Sequence, residues 1–270
     1  MKNIPFKAVA VDMDGTFVNS KNTYDHKRFR KVLTQLHKNG IHFIVASGRP
    51  LDRLKKDFNE FLDEIDLICD NGGILVKDNQ IIRTITFSHK TSIDLLKFIQ
   101  KNYPHANIIA CGLNNSYIFD NASPEFRNFM KFYYPDAING SQIDDIPQDE
   151  KFDKLTIWDP TKPAIIEKNY NSNSTEKIHA TSSGFNCTDI IPEGVNKASS
   201  LEYFLKYFKI SPDELIAFGD GMNDLEMLNL AGYSYAMKNG EDELKQIAKY
   251  EAPTNNENGV LQVLEEYLNN

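Results

Sequence analysis

Two aspartates, Asp12 and Asp14, stand one residue apart directly after a run of small and β-branched apolar residues in VAVDMDGTFV (9–18). Carboxylates resist burial unless they are paired or bound to a metal, so this pair asks for a cation. Three other polar clusters also follow buried-looking runs: Ser47-Gly48-Arg49, the isolated Lys197, and GDGMND (219–224). Each residue type has a use in phosphoryl transfer. One carboxylate can attack phosphorus and carry an aspartyl phosphate. A second can protonate the leaving oxygen and then activate water. Asp12, Asp220 and Asp224 offer the hard oxygens that Mg²⁺ prefers. A hydroxyl, backbone N–H groups and an ammonium at Ser47, Gly48 and Lys197 suit the non-transferring phosphate oxygens.

These clusters need a scaffold that brings them together. Residues 7–12 and 41–47 read as strands, 66–73 as a third strand and a glycine turn, and 25–40 and 51–62 as helices, a β-α-β-α-β rhythm that argues for a parallel sheet flanked by helices. The rhythm breaks after about residue 83. Helices at 91–102 and 123–134 then alternate with strands at 107–112, 116–120, 154–159, 177–183 and 185–191, and the polar segment 169–177 reads as a loop. The first rhythm returns with a helix over 196–208, a strand over 214–220, a helix over 223–231 and a strand over 232–237. The fold class expected is α/β: a discontinuous parallel-sheet core formed by 1–83 and 190–270, holding an inserted α+β domain at 84–189. In an open parallel sheet, ligands bind beyond the carboxyl ends of the strands, where all four clusters fall.

The 270 residues carry a formal net charge of −8, which argues against a nucleic-acid partner because a basic face is missing. Three scattered cysteines without a C-x-x-C pair fit reduced thiols rather than a disulfide framework. No apolar stretch approaches the roughly 20 residues of a membrane span. A cytoplasmic, monomeric protein acting on a small phosphorylated molecule, with no membrane partner, is expected.

DMDGT (12–16), SGR (47–49), Lys197 and GDGMND together resemble, in order and spacing, the four motifs of the haloacid dehalogenase-like (HAD) superfamily. The insertion between the second and third motifs resembles the α/β cap of the Cof-type subfamily. DNGG (70–73) and DIIPEGVNK (189–197) are similar to that subfamily's pattern. The resemblance implies a Rossmann-like core and Mg²⁺-dependent phosphomonoester hydrolysis. It casts Asp12 as nucleophile and metal ligand, and Asp14 as acid/base with its carbonyl on the metal. Asp220 becomes a direct metal ligand, and Asp224 a ligand directly or through water. The Met13 backbone, Ser47, Gly48, Lys197 and Asn223 would touch phosphate, while Thr16 would steady the loop after the nucleophile. Phe17 stands where leucine is common.

Arg49, Asn71 and Asp189 are further candidates for substrate contact, Arg49 being equally suited to a core–cap salt bridge. Trp158 and Tyr117 read as packing residues. Sugar phosphates are the first substrate class expected, followed by phosphorylated cofactors such as pyridoxal phosphate or flavin mononucleotide. A phosphomutase would use the same nucleophile. A phosphonate hydrolase would need a cap lysine able to form a Schiff base.

Overall fold

The structure, a computed structural model, describes residues 4–184 and 186–269. Two sheets organise it. The larger has the order β14-β13-β12-β1-β2-β3-β4-β5. Its strands are β1 (Ala8–Val11), β2 (His42–Ala46), β3 (Asp66–Cys69), β4 (Ile74–Lys77) and β5 (Gln80–Thr84), then, after a long gap in the chain, β12 (Leu215–Gly219), β13 (Tyr233–Met237) and β14 (Tyr250–Ala252). The intervening strands β6 (Asn107–Gly112), β7 (Ser116–Phe119), β8 (Ile138–Ser141), β9 (Phe152–Trp158), β10 (Ile178–Ser182) and β11 (Cys187–Pro192) form the smaller sheet, ordered β10-β11-β9-β6-β7-β8. From β14 across to β3 the larger sheet is parallel, and β4 and β5 extend it as an antiparallel hairpin.

The central strands are apolar without interruption because both faces are covered. Val9 and Val11 join Phe43, Val45, Ile216 and Phe218 on one face. There α1 (His26–Lys38) and α9 (Gly259–Asn269) supply Phe29, Leu33, Leu36, Leu261 and Leu264. Ala8 and Ala10 face the other way with Ile44, Ala46 and Ala217, under α6 (Lys197–Phe208) and α7 (Leu225–Leu230). Asp25 caps α1 by accepting the Arg28 N–H at 2.9 Å. The remaining helices are α2 (Leu51–Asp57), α3 (His89–Asn102), α4 (Pro124–Met130), α5 (Pro163–Asn171) and α8 (Asp242–Ile247).

Three sequence expectations need correcting. The helix expected over 51–62 stops at Asp57, because Phe58 and Phe61 both turn into an aromatic cluster with Tyr24 and Phe29. The helix expected over 123–134 ends at Met130, and Tyr134 turns back to accept a hydrogen bond from the Cys111 thiol at 3.1 Å. The loop expected over 169–177 begins inside α5, whose Ile166 and Tyr170, four residues apart, pack into the smaller sheet's core. Phe185, in the strand expected over 185–191, lies outside the described residues, and β11 begins at Cys187.

All three cysteines are free and buried. Among the described residues no helix is long and apolar enough to cross a membrane.

Candidate active site

The parallel register Val11↔Phe218 brings β1 and β12 out of the sheet side by side, so Asp12 and Asp220 emerge as neighbours. The Asp12 N–H donates to the Phe218 carbonyl at 3.1 Å. The chain then turns sharply, with the Phe17 N–H on the Asp12 carbonyl at 3.2 Å and the Val18 N–H on the Met13 carbonyl at 3.0 Å. Phe17 anchors the turn: its ring packs against Tyr24, Phe29, Phe43 and Phe58. Gly15 is required twice over. Its φ is +81°, and a Cβ there would lie 2.1 Å from Asp220 Oδ2. The Thr16 hydroxyl donates to Asp220 Oδ1 at 2.7 Å, tying the loop to the far strand.

Lys197 opens α6 behind the Asn196 cap, which accepts the Ser199 N–H at 2.8 Å. Gly72, with φ +117°, lets the Asn196 backbone close in, since a Cβ there would meet the Asn196 carbonyl at 2.6 Å. The fully buried Lys197 ammonium donates to Asp12 Oδ1 and to Asp224 Oδ1, both at 2.6 Å. Asp224 Oδ2 accepts the N–H groups of Asp220 at 3.0 Å and Gly221 at 3.2 Å. Both Asp224 oxygens are therefore engaged, while Asp12 Oδ2 and Asp220 Oδ2 have no hydrogen-bond partner among the described residues.

Carboxylate oxygens of Asp12, Asp220 and Asp224 lie within 4.8 Å of one another, facing a single ammonium. Burial, reinforced by the charges of Asp224, Asp220 and Asp14, pushes the Asp12 carboxyl well up despite Lys197. Burial and the Asp224 charge push Asp220 up to about 7. An all-oxygen set with excess negative charge fits a hard divalent cation.

The Asp14 side chain is not in this cluster. Arg49 holds it with two bonds, Nε to Oδ2 at 2.7 Å and Nη2 to Oδ1 at 2.6 Å. The same guanidinium reaches Asp57 on α2 at 2.6 Å and Asn22 at 3.0 Å. Burial would lower the Arg49 pKa, but the bonds and charges of Asp14 and Asp57 hold it above the ordinary arginine range. Among the described residues the ion pairs of Arg49 thus stay on the core side. The insertion meets it through rings, with Phe132 at 5.8 Å and Tyr133 at 5.9 Å.

Ser47 follows β2, its N–H on the Ile68 carbonyl at 2.8 Å, and its Oγ accepts the Arg49 N–H at 3.1 Å. A polar seam, buried apart from the half-buried Asn223, begins beside it. Lys154 on β9 crosses from the smaller sheet to donate to the Gly48 carbonyl at 2.6 Å, and it pairs with Asp70 at 2.9 Å and Asp189 at 3.2 Å. Asp189 also accepts Thr156 Oγ1 at 2.7 Å and Asn71 Nδ2 at 2.8 Å, and Asn71 accepts Asn223 Nδ2 at 3.1 Å. Burial alone would lower Lys154, but the charges of Asp189 and Asp70 outweigh it and hold the ammonium well above the ordinary lysine range.

The larger sheet's strand ends and the polar face of the smaller sheet enclose a cleft of about 460 Å³. Asp12, Asp14, Ser47, Gly48, Asp220 and Asn223 line its floor, with Arg49 at the side. Phe129, Tyr133, Tyr134, Lys154, Thr156 and Asp189 line the side formed by the insertion. Met13, Asn71, Lys197 and Asp224 are buried behind the wall. Trp158 stacks on Phe126 and Phe129, and Tyr117 is buried with its hydroxyl on Glu150 at 3.1 Å.

Lys154, Thr156, Tyr133 and Tyr134 were not singled out from the sequence. The alternation of Lys154 and Thr156 with Leu155 and Ile157 marks a strand with one polar face, a signal that was available.

A haloacid dehalogenase-like hydrolase profile matches residues 9–264. The chain belongs to the haloacid dehalogenase-like hydrolases. It is 33% identical over 267 residues to the 5-amino-6-(5-phospho-D-ribitylamino)uracil phosphatase YbjI of Escherichia coli (strain K12), covering 97% of this chain and 96% of that protein. It is 26% identical over 266 residues to the Bacillus subtilis (strain 168) 5-amino-6-(5-phospho-D-ribitylamino)uracil phosphatase YitU, covering 96% of this chain and 97% of that one. The crystal structure of SMU.1108c from Streptococcus mutans UA159 superposes with a TM-score of 0.93 at 35% identity, over 98% of this chain and 100% of that chain. Within the haloacid dehalogenase-like hydrolases, this chain is a phosphatase.

Proposed function

We propose that the protein hydrolyses a small phosphomonoester through an aspartyl phosphate on Asp12, with Mg²⁺ as cofactor. Residues 84–189 act in this reading as a cap that selects the leaving group. The observation that carries it is the placement of Asp12 and Asp14 together on the cleft floor, one beside Lys197 and the other held by Arg49. Asp12 attacks phosphorus while Asp14 gives a proton to the leaving oxygen. Asp14 then takes a proton from water, which cleaves the acyl phosphate and restores Asp12. Ser47, the Gly48 N–H and Asn223 hold the non-transferring oxygens, with the Met13 backbone beside them. Lys197, from behind Asp12, offsets charge and aims the nucleophile.

Asp12 and Asp220 would hold the cation, with the Asp14 carbonyl completing the protein's share. Asp224, whose oxygens are taken by Lys197 and two N–H groups, would reach it through water. When bound, Mg²⁺ supplies charge neutralisation for the phosphoryl group.

For the substrate we favour a phosphorylated polyol bearing a flat heterocycle over a simple sugar phosphate. Phe129, Tyr133 and Tyr134 on the cleft wall support this, because aromatic side chains stack on planar rings. Two relatives are named for such a substrate. The test is phosphate release with Mg²⁺ from 5-amino-6-(5-phospho-D-ribitylamino)uracil, flavin mononucleotide, pyridoxal phosphate and hexose phosphates, with Asp12→Asn as blank. Highest kcat/KM on the ribitylaminouracil phosphate is expected. Preference for hexose phosphates would overturn the leaving-group assignment, and isomerisation without phosphate release would make the protein a mutase.

A further inference from the structure

The Gly48–Arg49 peptide connects two observations described above. Its carbonyl accepts the Lys154 ammonium at 2.6 Å, and its N–H donates to Ser47 Oγ at 3.1 Å. In a trans peptide these two bonds point in opposite directions, so the unit is a relay running from the smaller sheet to the Ser47 hydroxyl. A donor on the carbonyl polarises the N–H beyond it, and hydrogen bonds in such chains reinforce one another. With one lone pair of Oγ taken by the Arg49 N–H, the Ser47 proton is the group left to donate, and Ser47 lines the cleft.

Lys154 is built to hold this position. It is almost wholly buried on β9, and Asp70 and Asp189 fix its ammonium from the core and from β11. Its bond to Gly48 spans 106 residues of sequence and crosses between the two sheets.

We propose that Lys154 is a positioning residue for the phosphate-binding loop: by fixing the Gly48–Arg49 peptide it aims the Ser47 hydroxyl at the phosphoryl group. The smaller sheet thereby acts on the phosphate end of the substrate as well as on its leaving group. This rests on the phosphatase reading above.

The experiment is a double-mutant cycle of Lys154→Met and Ser47→Ala, read by kcat and orthovanadate inhibition with p-nitrophenyl phosphate, and by calorimetric titration of inorganic phosphate. Each single variant is expected to lower kcat and weaken vanadate and phosphate about tenfold. In the Ser47→Ala background, Lys154→Met is expected to cost no more than about twofold, because residues acting through one network are not additive. Losses that multiply would show that Lys154 does not act through Ser47 and would overturn the proposal. So would a fall in thermal stability with kcat and vanadate inhibition of the folded protein unchanged. Lys154→Gln keeps an N–H donor for the Gly48 carbonyl and is the second variant should the methionine protein not fold. It is expected to weaken vanadate and phosphate binding less than tenfold, and an equal loss in the Ser47→Ala background would overturn the proposal. If the wild type releases no phosphate from any ester, the catalytic reading falls, and the phosphate titrations still decide the role of Lys154.

Discussion

Lys197→Met tests the electrostatics of the site without reference to turnover. The side chain has no exposed surface and places one ammonium between Asp12 and Asp224 at 2.6 Å each. Methionine keeps much of the volume and removes the charge. Breaking a buried pair by deleting one partner costs about 3–5 kcal/mol. For a chain of this size each kcal/mol moves the midpoint by roughly 2–4 °C, so in EDTA the variant should melt about 10 °C below the wild type. A ligand of the folded state at a hundred times its Kd adds about 2.7 kcal/mol. With three carboxylates and no ammonium, the variant should bind Mg²⁺ more tightly and gain more from a given concentration. Thermal unfolding followed by circular dichroism, in EDTA and across a Mg²⁺ series, measures both quantities. Equal Mg²⁺ shifts in the two proteins, or a loss in EDTA below about 1 kcal/mol, would refute the reasoning.

Three other outcomes are expected. Arg49→Met frees the Asp14 carboxylate from its two-bond clamp, so hydrolysis of an alkyl phosphate should slow by about tenfold, a fraction of the 10²–10⁴ that acid–base catalysis supplies; p-nitrophenyl phosphate, whose leaving group needs no proton, should be affected less. Burial pushes the Asp66 carboxyl up to about 7, so its contribution to stability is complete below the ordinary carboxylate range and is lost as pH rises through 7; Asp66→Asn should flatten the stability-versus-pH curve between pH 4 and 7, measured by urea unfolding. Phe17→Ala removes the ring anchoring the Asp12–Val18 turn and should cost about 3–5 kcal/mol in urea unfolding, whereas Phe17→Leu should cost less.

The centre of the larger sheet, from β13 to β3, was readable from the sequence because its strands are largely apolar on both faces: Ala8–Val11 and His42–Ala46 each feed two cores and leave little ambiguity of type. Three of the four motifs were readable because each sits where such a strand stops; Lys197 instead opens α6, after β11 of the smaller sheet. The rest depends on what the chain folds against. Nothing local says that Arg49 will take Asp57 eight residues on as well as Asp14, or that α2 must stop so that Phe58 and Phe61 can face inward. Lys154 looks like a solvated strand residue until β9 is paired between β6 and β11 and its polar face meets Asp70. The strands β5, β8 and β14 lie at sheet edges and are mostly exposed, so burial imposes no apolar run on them.

The order of strands has a consequence for how the enzyme comes into being. The smaller sheet uses only the continuous stretch from Asn107 to Pro192, whereas the larger one closes by joining β1 to β12, and its Thr16–Asp220 bond spans 204 residues. Contacts near in sequence form before distant ones, and synthesis delivers the N-terminal part first. On the ribosome the smaller sheet is therefore expected to close while the larger one still lacks β12, with neither Lys197 nor Asp220 yet made. A chain halted before β12 would hold a complete smaller sheet beside a larger sheet that cannot join β1 to β12. The capacity for catalysis arrives late and all at once, when the returning C-terminal quarter slots its strand against the first.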